Sequence, residues 1–154
     1  MTAVIHVREA TAADLPAIVR MLADDPLGAQ RERYAEPLPP DYGDAFAALR
    51  AQAGNAVLVG ELDGVVVGCL QLALIPGLSR VGMMRAQIEG VRVAREARGR
   101  GIGELLVQEA LARARAAGCG IAQLTSDASR RDAHRFYERL GFVASHVGMK
   151  LKLD

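Results

Sequence analysis

The chain is poor in the residues that tie small proteins together. Its 154 residues include two cysteines, Cys69 and Cys119. Neither belongs to a C-x-x-C pair or a zinc-ligand spacing, which removes disulfide and zinc frameworks and predicts free thiols in a reducing compartment. His6, His134 and His146 are too scattered to form any other metal site. Long apolar runs are missing as well, and none approaches the roughly 18 residues of a membrane span. The first ten residues hold His6, Arg8 and Glu9 but no apolar stretch of a signal peptide. These absences predict a cytoplasmic protein with no membrane partner. Charge of one sign is also lacking: 19 basic against 18 acidic residues leave a net charge of +1. A surface that balanced gives no general attraction for nucleic acid, and no helix-turn-helix pattern is present. Repeats, linkers and low-complexity segments are absent, so residues 1–154 read as one domain. With 51% hydrophobic residues, a chain of this length can bury roughly 70% of its unfolded surface.

Glycine, by contrast, is concentrated. From Ile88 to Gly103 the chain reads Ile-Glu-Gly-Val-Arg-Val-Ala-Arg-Glu-Ala-Arg-Gly-Arg-Gly-Ile-Gly. Ile88, Val91 and Val93 give a strand, Gly99, Gly101 and Gly103 a turn, and a helical pattern follows directly. Strand, glycine turn and helix together aim bare N–H groups and the positive end of a helix dipole at an anion. Arg92, Arg95, Arg98 and Arg100 against Glu96 add a local charge of +3, which suits a polyphosphate. A P-loop is excluded because Gly103 is followed by Glu104 rather than by Lys-Ser/Thr. A dinucleotide fingerprint counted from Gly99 would end on Glu104, a carboxylate facing the pyrophosphate. Asp127, 24 residues beyond Gly103, is the one feature favouring a dinucleotide. Against it, most of the sheet precedes this loop.

Taken in order, Ile5 to Glu9 predicts a first strand. Thr11 and Asp14 open a helix carrying Leu15, Ile18, Val19 and Leu22 on one face, and Asp25-Pro26 ends it. The pattern dissolves from Leu27 to Pro40, and a short helix follows over Tyr42 to Ala51. Ala56 to Leu62, the turn Asp63-Gly64 and Val65 to Ile75 form a hairpin. Met84 to Val93 is its next antiparallel neighbour. A long helix carries Gly103, Leu106, Val107, Ala110, Leu111, Ala114 and Ala117 on one face and ends at Gly118. Ile121 to Thr125 pairs in parallel across it. A last helix spans Asp132 to Leu140, and Phe142-Val143 and Gly148 to Leu153 are expected to close the sheet as strands. The fold class is α/β, with a mixed, mostly antiparallel sheet flanked by helices.

Two motifs in this frame carry a family resemblance. Arg98-x-x-Gly101-x-Gly103 resembles the R/Q-x-x-G-x-G/A loop of the GNAT-type N-acetyltransferases. Ala133-x-x-Phe136-Tyr137-x-x-x-Gly141-Phe142, about 35 residues further on, resembles the A-x-x-F/L-Y-x-x-x-G-F signature of the same superfamily. The element order is similar to the GNAT fold along nearly the whole chain.

The resemblance implies acetyl-CoA as co-substrate, transfer to an amine by direct attack, and no metal. It implies that Arg98, Gly99, Arg100, Gly101, Ile102 and Gly103 hold the pyrophosphate. Backbone groups of Val91 and Val93 would pair with the pantetheine arm, with an N–H near Val91 as oxyanion donor. Tyr137 would be the general acid for the departing thiolate, and Glu89 the general base for the amine. Each has a plainer reading: Tyr137 packs beside Phe136 and Leu140, and Glu89 pairs with Arg85 or Arg92. Arg130 stands where many relatives have Asn. Ser126, Asp127 and His134 lack the G-x-S-x-G elbow of a hydrolase and read as caps of the last helix.

The resemblance implies that the acceptor site is shaped by Asp24 to Arg50, which carries six acids and three arginines. That segment fits a small amine, an amino acid, a polyamine, an antibiotic or a peptide equally well. A non-catalytic CoA-binding regulatory module is the rival reading. The edge of the C-terminal strands offers a surface for a second copy of the chain.

Overall fold

The computed structural model describes residues 3–154 of the chain. Five strands form one sheet in the order β1-β2-β3-β4-β5: β1 (Ile5–Glu9), β2 (Ala56–Leu62), β3 (Val65–Ile75), β4 (Arg85–Val93) and β5 (Ile121–Gln123). The first three neighbouring pairs run antiparallel, and β4 pairs with β5 in parallel. The predicted hairpin is therefore present with both strands and the Asp63-Gly64 turn as read.

Alternation along the strands sorts the core onto two faces. Leu58, Leu70, Leu72, Ala86 and Ile88 meet Ile102, Leu106, Val107, Ala110 and Ala114 of α5 (Ile102–Ala116). On the other face, Val59 and Cys69 pack with Ile18 and Met21 of α1 (Leu15–Ala23) and with Phe46 of α3 (Pro40–Ala51). The α5 helix packs closely over the glycines of the sheet. A Cβ on Gly68 would stand 2.8 Å from Ile102 Cγ2 and 2.9 Å from Leu106 Cδ1. Any side chain there would force Ile102 and Leu106 to shift, so glycine lets α5 pack at this height above β3.

Two predicted features differ. Asp25-Pro26 does not simply end a helix; it starts another, α2 (Pro26–Arg31). Asp25 accepts a hydrogen bond from the Gly28 N–H at 2.6 Å, with Pro26 at the first helical position. An acceptor side chain followed by proline is a helix start, because that proline lacks only an N–H the helix does not use.

The second difference lies after α6 (Arg131–Arg139). Phe142-Val143 and Gly148 to Leu153 form no strands, and residues 143–154 run as irregular, exposed chain. Their alternation is real, but a strand needs a ladder partner, and the described residues offer none to them. Between β3 and β4 the chain makes α4 (Ser79–Gly82), a single turn in which Arg80 and Val81 take positive φ.

Candidate functional site

The site is organised by a break in β4. Arg85, Ala86 and Gln87 pair with Ile121, Ala122 and Gln123, and the parallel ladder stops there. On the other side, Gln71 faces Glu89 and Cys69 faces Arg92, so Gly90 and Val91 together oppose Leu70 alone. That is a β-bulge, and Gly90 takes the required left-handed conformation at φ 61°. The extra residue bends β4 away from β5. Backbone from Ile88 to Val93 is thereby left without a ladder partner on the β5 side, an edge that an extended amide-bearing arm can join. Val91 and Val93, the residues expected to pair with pantetheine, lie on this edge.

Glycine turns and α5 continue directly from it. Gly99 and Gly101 have φ 78° and 79°, and a Cβ at either would meet no atom within 4 Å. The loop backbone is therefore open to approach at both glycines. Gly101 is the N-cap of α5 and supplies no side-chain acceptor, so the first N–H groups of the helix point outward with the positive end of its dipole. Ile102 contributes backbone alone, since its side chain is 1% exposed beneath the loop.

The four arginines do not all serve this loop. Arg95 pairs with Asp24 at 3.1 Å. Arg92 Nε lies 3.1 Å from Asp25 Oδ2, close but poorly aligned for a hydrogen bond, and Arg92 Nη1 donates to the Val91 carbonyl at 2.9 Å. Burial pushes the Asp25 carboxyl up, but the Gly28 N–H and Arg92 outweigh it and hold it below its ordinary range. Arg98 Nε folds back onto the Val93 carbonyl at 3.3 Å. The local charge expected from sequence is thus divided: Arg92 and Arg95 clamp the strand to the α1–α2 corner, while Arg98 and Arg100 remain exposed beside the loop.

Tyr137 closes the arrangement from α6. Its ring packs edge-on against Phe136 at 5.1 Å and Phe142 at 5.9 Å between centroids. Burial raises the phenol above its usual value, opposed by the charges of Arg130 and Arg92. It is therefore a packed residue, as the plainer reading expects, and one that holds its proton. Phe136 Cζ lies 3.4 Å from where a side chain on Gly103 would begin, and Val93 Cγ2 lies 3.5 Å from the same point. The two sequence motifs touch at that contact.

Glu89 is exposed and makes neither expected ion pair, since Arg92 is taken by Asp25. It lies on the face opposite the buried Ile88, the face of the sheet that α1 covers. Asp127 accepts from the Ser129 N–H at 2.9 Å and its hydroxyl at 2.6 Å, and its carbonyl meets His134 Nε2 at 2.9 Å. These contacts shape the turn before α6 but do not cap it as expected: the N-cap is Arg130, with no side-chain hydrogen bond, and the buried Ser126 hydroxyl has no partner among the described residues. A ribose-binding role for Asp127 has no support from that arrangement. Beside the turn, Ser129, Arg130 and Arg131 line a cleft of about 350 Å³. Asp25 was the residue missed by sequence reasoning; the Asp-Pro start signal was present and was read as an ending.

The acetyltransferase (GNAT) family model matches residues 17–142. A curated aminoalkylphosphonate N-acetyltransferase from Salmonella typhimurium is 33% identical over 105 residues, 68% of either chain. A glucosamine 6-phosphate N-acetyltransferase from Trypanosoma brucei brucei is 33% identical over 110 residues, 70% of this chain and 73% of that one. Among solved structures, one described as a transcriptional regulator from Bacillus halodurans C-125 superposes with a TM-score of 0.94 at 48% identity, covering 97% of this chain and all of that one.

Proposed function

The chain belongs to the acetyltransferase (GNAT) family, and we propose that it transfers the acetyl group of acetyl-CoA to the primary amine of a small acceptor by direct attack. The observation that carries this reading is the Gly90–Val91 bulge, which opens β4 beside the glycine loop and Tyr137. The open space at Gly99 and Gly101 suits a pyrophosphate, with Arg98 and Arg100 as counter-charges. The freed edge at Val91 and Val93 suits the amides of pantetheine. Acetyl-CoA supplies the activated acetyl group as its thioester.

The protein's own groups then handle two protons and one developing charge. Glu89 takes a proton from the acceptor's ammonium, directly or through a water, so that the neutral amine attacks, and the further proton that nitrogen sheds as the amide forms restores the Tyr137 phenol. A backbone N–H near Val91 donates to the carbonyl oxygen as negative charge builds on it. Tyr137, kept protonated by its burial, gives its proton to the leaving sulfur. Such positioned acids and bases typically contribute about 10² to 10⁴-fold each.

Two features support an acceptor bearing an anionic group. Both curated relatives are named for amines that carry a phosphonate or phosphate. Arg130 also stands close enough to Asp25, Asp127 and Tyr137 to act on all three, a positive charge beside the site that would suit such a group. The test is thiol release from acetyl-CoA against aminoalkylphosphonates, glucosamine 6-phosphate, polyamines, amino acids and aminoglycosides. Release with a phosphorylated amine, slowed in Tyr137→Phe, supports the reading; binding of acetyl-CoA without release on any amine favours the regulatory module suggested by the Bacillus structure's description.

A further inference from the structure

The ion pair between Asp25 and Arg92 sits inside the site, yet the proposed chemistry makes no use of it. Both side chains are mostly buried, Asp25 20% and Arg92 16% exposed, and Arg92 Nε lies 3.1 Å from Asp25 Oδ2. Neither of these two atoms has an aligned hydrogen-bond partner among the described residues. Taking two charges out of water is costly, and a misaligned pair offsets little of that cost. Such a pair is weak evidence for stability, so what it holds in place matters more than how strongly it attracts.

It ties the α1–α2 corner to the bulge of β4. The corner is itself stiff. Asp25 caps α2 by accepting from the Gly28 N–H at 2.6 Å, and a Cβ on Gly28 would stand 1.9 Å from the Leu22 carbonyl oxygen. The end of α1 and the start of α2 are thus in backbone contact. From this corner two contacts reach β4. Leu22 Cδ2 lies 3.6 Å from where a Cβ on Gly90 would stand, at the left-handed residue of the bulge. Asp25 meets Arg92, whose Nη1 donates to the Val91 carbonyl at 2.9 Å. Cys69, opposite Arg92 in the ladder, donates weakly from Sγ to the Gly90 carbonyl at 3.7 Å. The carbonyls of both bulge residues are therefore held by side chains.

A bulge interrupts the ladder that would otherwise fix its peptide planes. Pinning the Gly90 and Val91 carbonyls from one face leaves the Val91 N–H a single direction in which to point. An oxyanion donor owes its value to such preorganisation, and a displacement of about 1 Å can cost about 10²-fold in rate. Arg92 also lies near the other end of the reaction: burial raises the Tyr137 phenol, and the charges of Arg130 and Arg92 pull it back. We propose that Asp25 and Arg92 are positioning residues for acetyl transfer, Asp25 aiming the Arg92 guanidinium and Arg92 fixing the bulge peptide beside the reacting carbonyl. The inference rests on the acetyl-transfer reading, and it gives the α1–α2 corner a part in setting the rate.

The test uses Asp25→Asn, Arg92→Lys and the double variant. Asn keeps an N-cap acceptor for α2 but removes the charge that aims Arg92. Lys keeps a cation but lacks the planar fork that reaches Asp25 and the Val91 carbonyl together. Each protein is followed by thiol release with an acceptor amine, by calorimetric titration with acetyl-CoA, and by the alkylation rate of Cys69. Each single substitution should lower kcat about tenfold or more, while the amine KM and the acetyl-CoA Kd change less than about threefold. The double variant should be no slower than the slower single one, as expected of two residues acting as one unit. Cys69, 2% exposed beneath the bulge, should label faster in all three. A folded variant with unchanged kcat, a loss confined to the amine KM as for direct acceptor binding, rate losses that multiply in the double variant, or a Cys69 as protected as in wild type would each overturn the inference alone. A wild type that releases no thiol with any amine would overturn the acetyl-transfer reading, and the inference with it.

Discussion

The Phe136 ring lies 3.4 Å from the position of the missing Gly103 side chain, so the helix of the glycine loop and the helix of the catalytic tyrosine candidate bear directly on each other. Gly103→Ala places a methyl group at ordinary contact distance and removes a helix glycine, so stability should hold or rise by up to about 1 kcal/mol. Gly103→Leu has no such room. It should displace Phe136, and with it Tyr137, lowering kcat at least tenfold while the fold survives. Steady-state kinetics on both variants, with unfolding curves, check this.

Gly68→Ala is the harsher glycine change, because its methyl would stand 2.8 Å from Ile102 and 2.9 Å from Leu106, both buried. Overpacking of this kind costs about 1–3 kcal/mol. The strain falls on the first turn of α5, so the Kd for acetyl-CoA should weaken along with the unfolding midpoint. Calorimetric titration and denaturant unfolding give the two numbers.

Much of this arrangement is legible in the sequence for identifiable reasons. The Asp63-Gly64 hairpin, the Leu106–Ala114 helix face and the parallel pairing across it follow from local pattern and chain connectivity. The Gly99–Gly103 loop shows because left-handed glycines must be glycines. The bulge at Gly90 was not legible, since it is a register fact: one extra residue opposite Leu70 shows only once β3 and β4 are aligned. The Arg92–Asp25 contact joins residues 67 positions apart in sequence, and no spacing rule reaches it. The C-terminal alternation predicts strands at Phe142-Val143 and Gly148 to Leu153 that the structure does not form, because whether a strand finds an edge is decided outside its own sequence.

Asp14 gives a pH prediction. Hydrogen bonds from Arg8 at 2.7 and 3.0 Å hold its carboxyl below the ordinary carboxylate range despite burial. A carboxyl whose folded pKa is lowered stabilises the protein above its unfolded value, near ~3.9, and loses that contribution as pH falls through the folded value. Asp14→Asn should therefore cost about 2 kcal/mol at neutral pH. The difference from wild type should shrink below about pH 4, as read by urea unfolding across pH.

The two thiols should behave differently. Burial pushes the Cys69 thiol up to about 12, and its Sγ donates weakly to the Gly90 carbonyl at 3.7 Å. At pH 8 the folded protein should react with a thiol reagent rapidly at Cys119 alone, Cys69 following only on unfolding. Peptide mapping after brief alkylation distinguishes them; fast labelling of Cys69 would show that the bulge opens readily.

The central claim is that the β4 edge and the glycine loop make one acetyl-CoA site. Its most direct measurement is the unfolding free energy with and without acetyl-CoA, in wild type and in Gly101→Val, with NAD as comparator. At 100 times the dissociation constant, one-site binding should add about 2.7 kcal/mol to the wild type. The account predicts that gain with acetyl-CoA, none with NAD, and its loss in Gly101→Val, where a branched side chain enters a left-handed position at φ 79°. A wild type that acetyl-CoA leaves unchanged, or a Gly101→Val protein that gains as much, would contradict it.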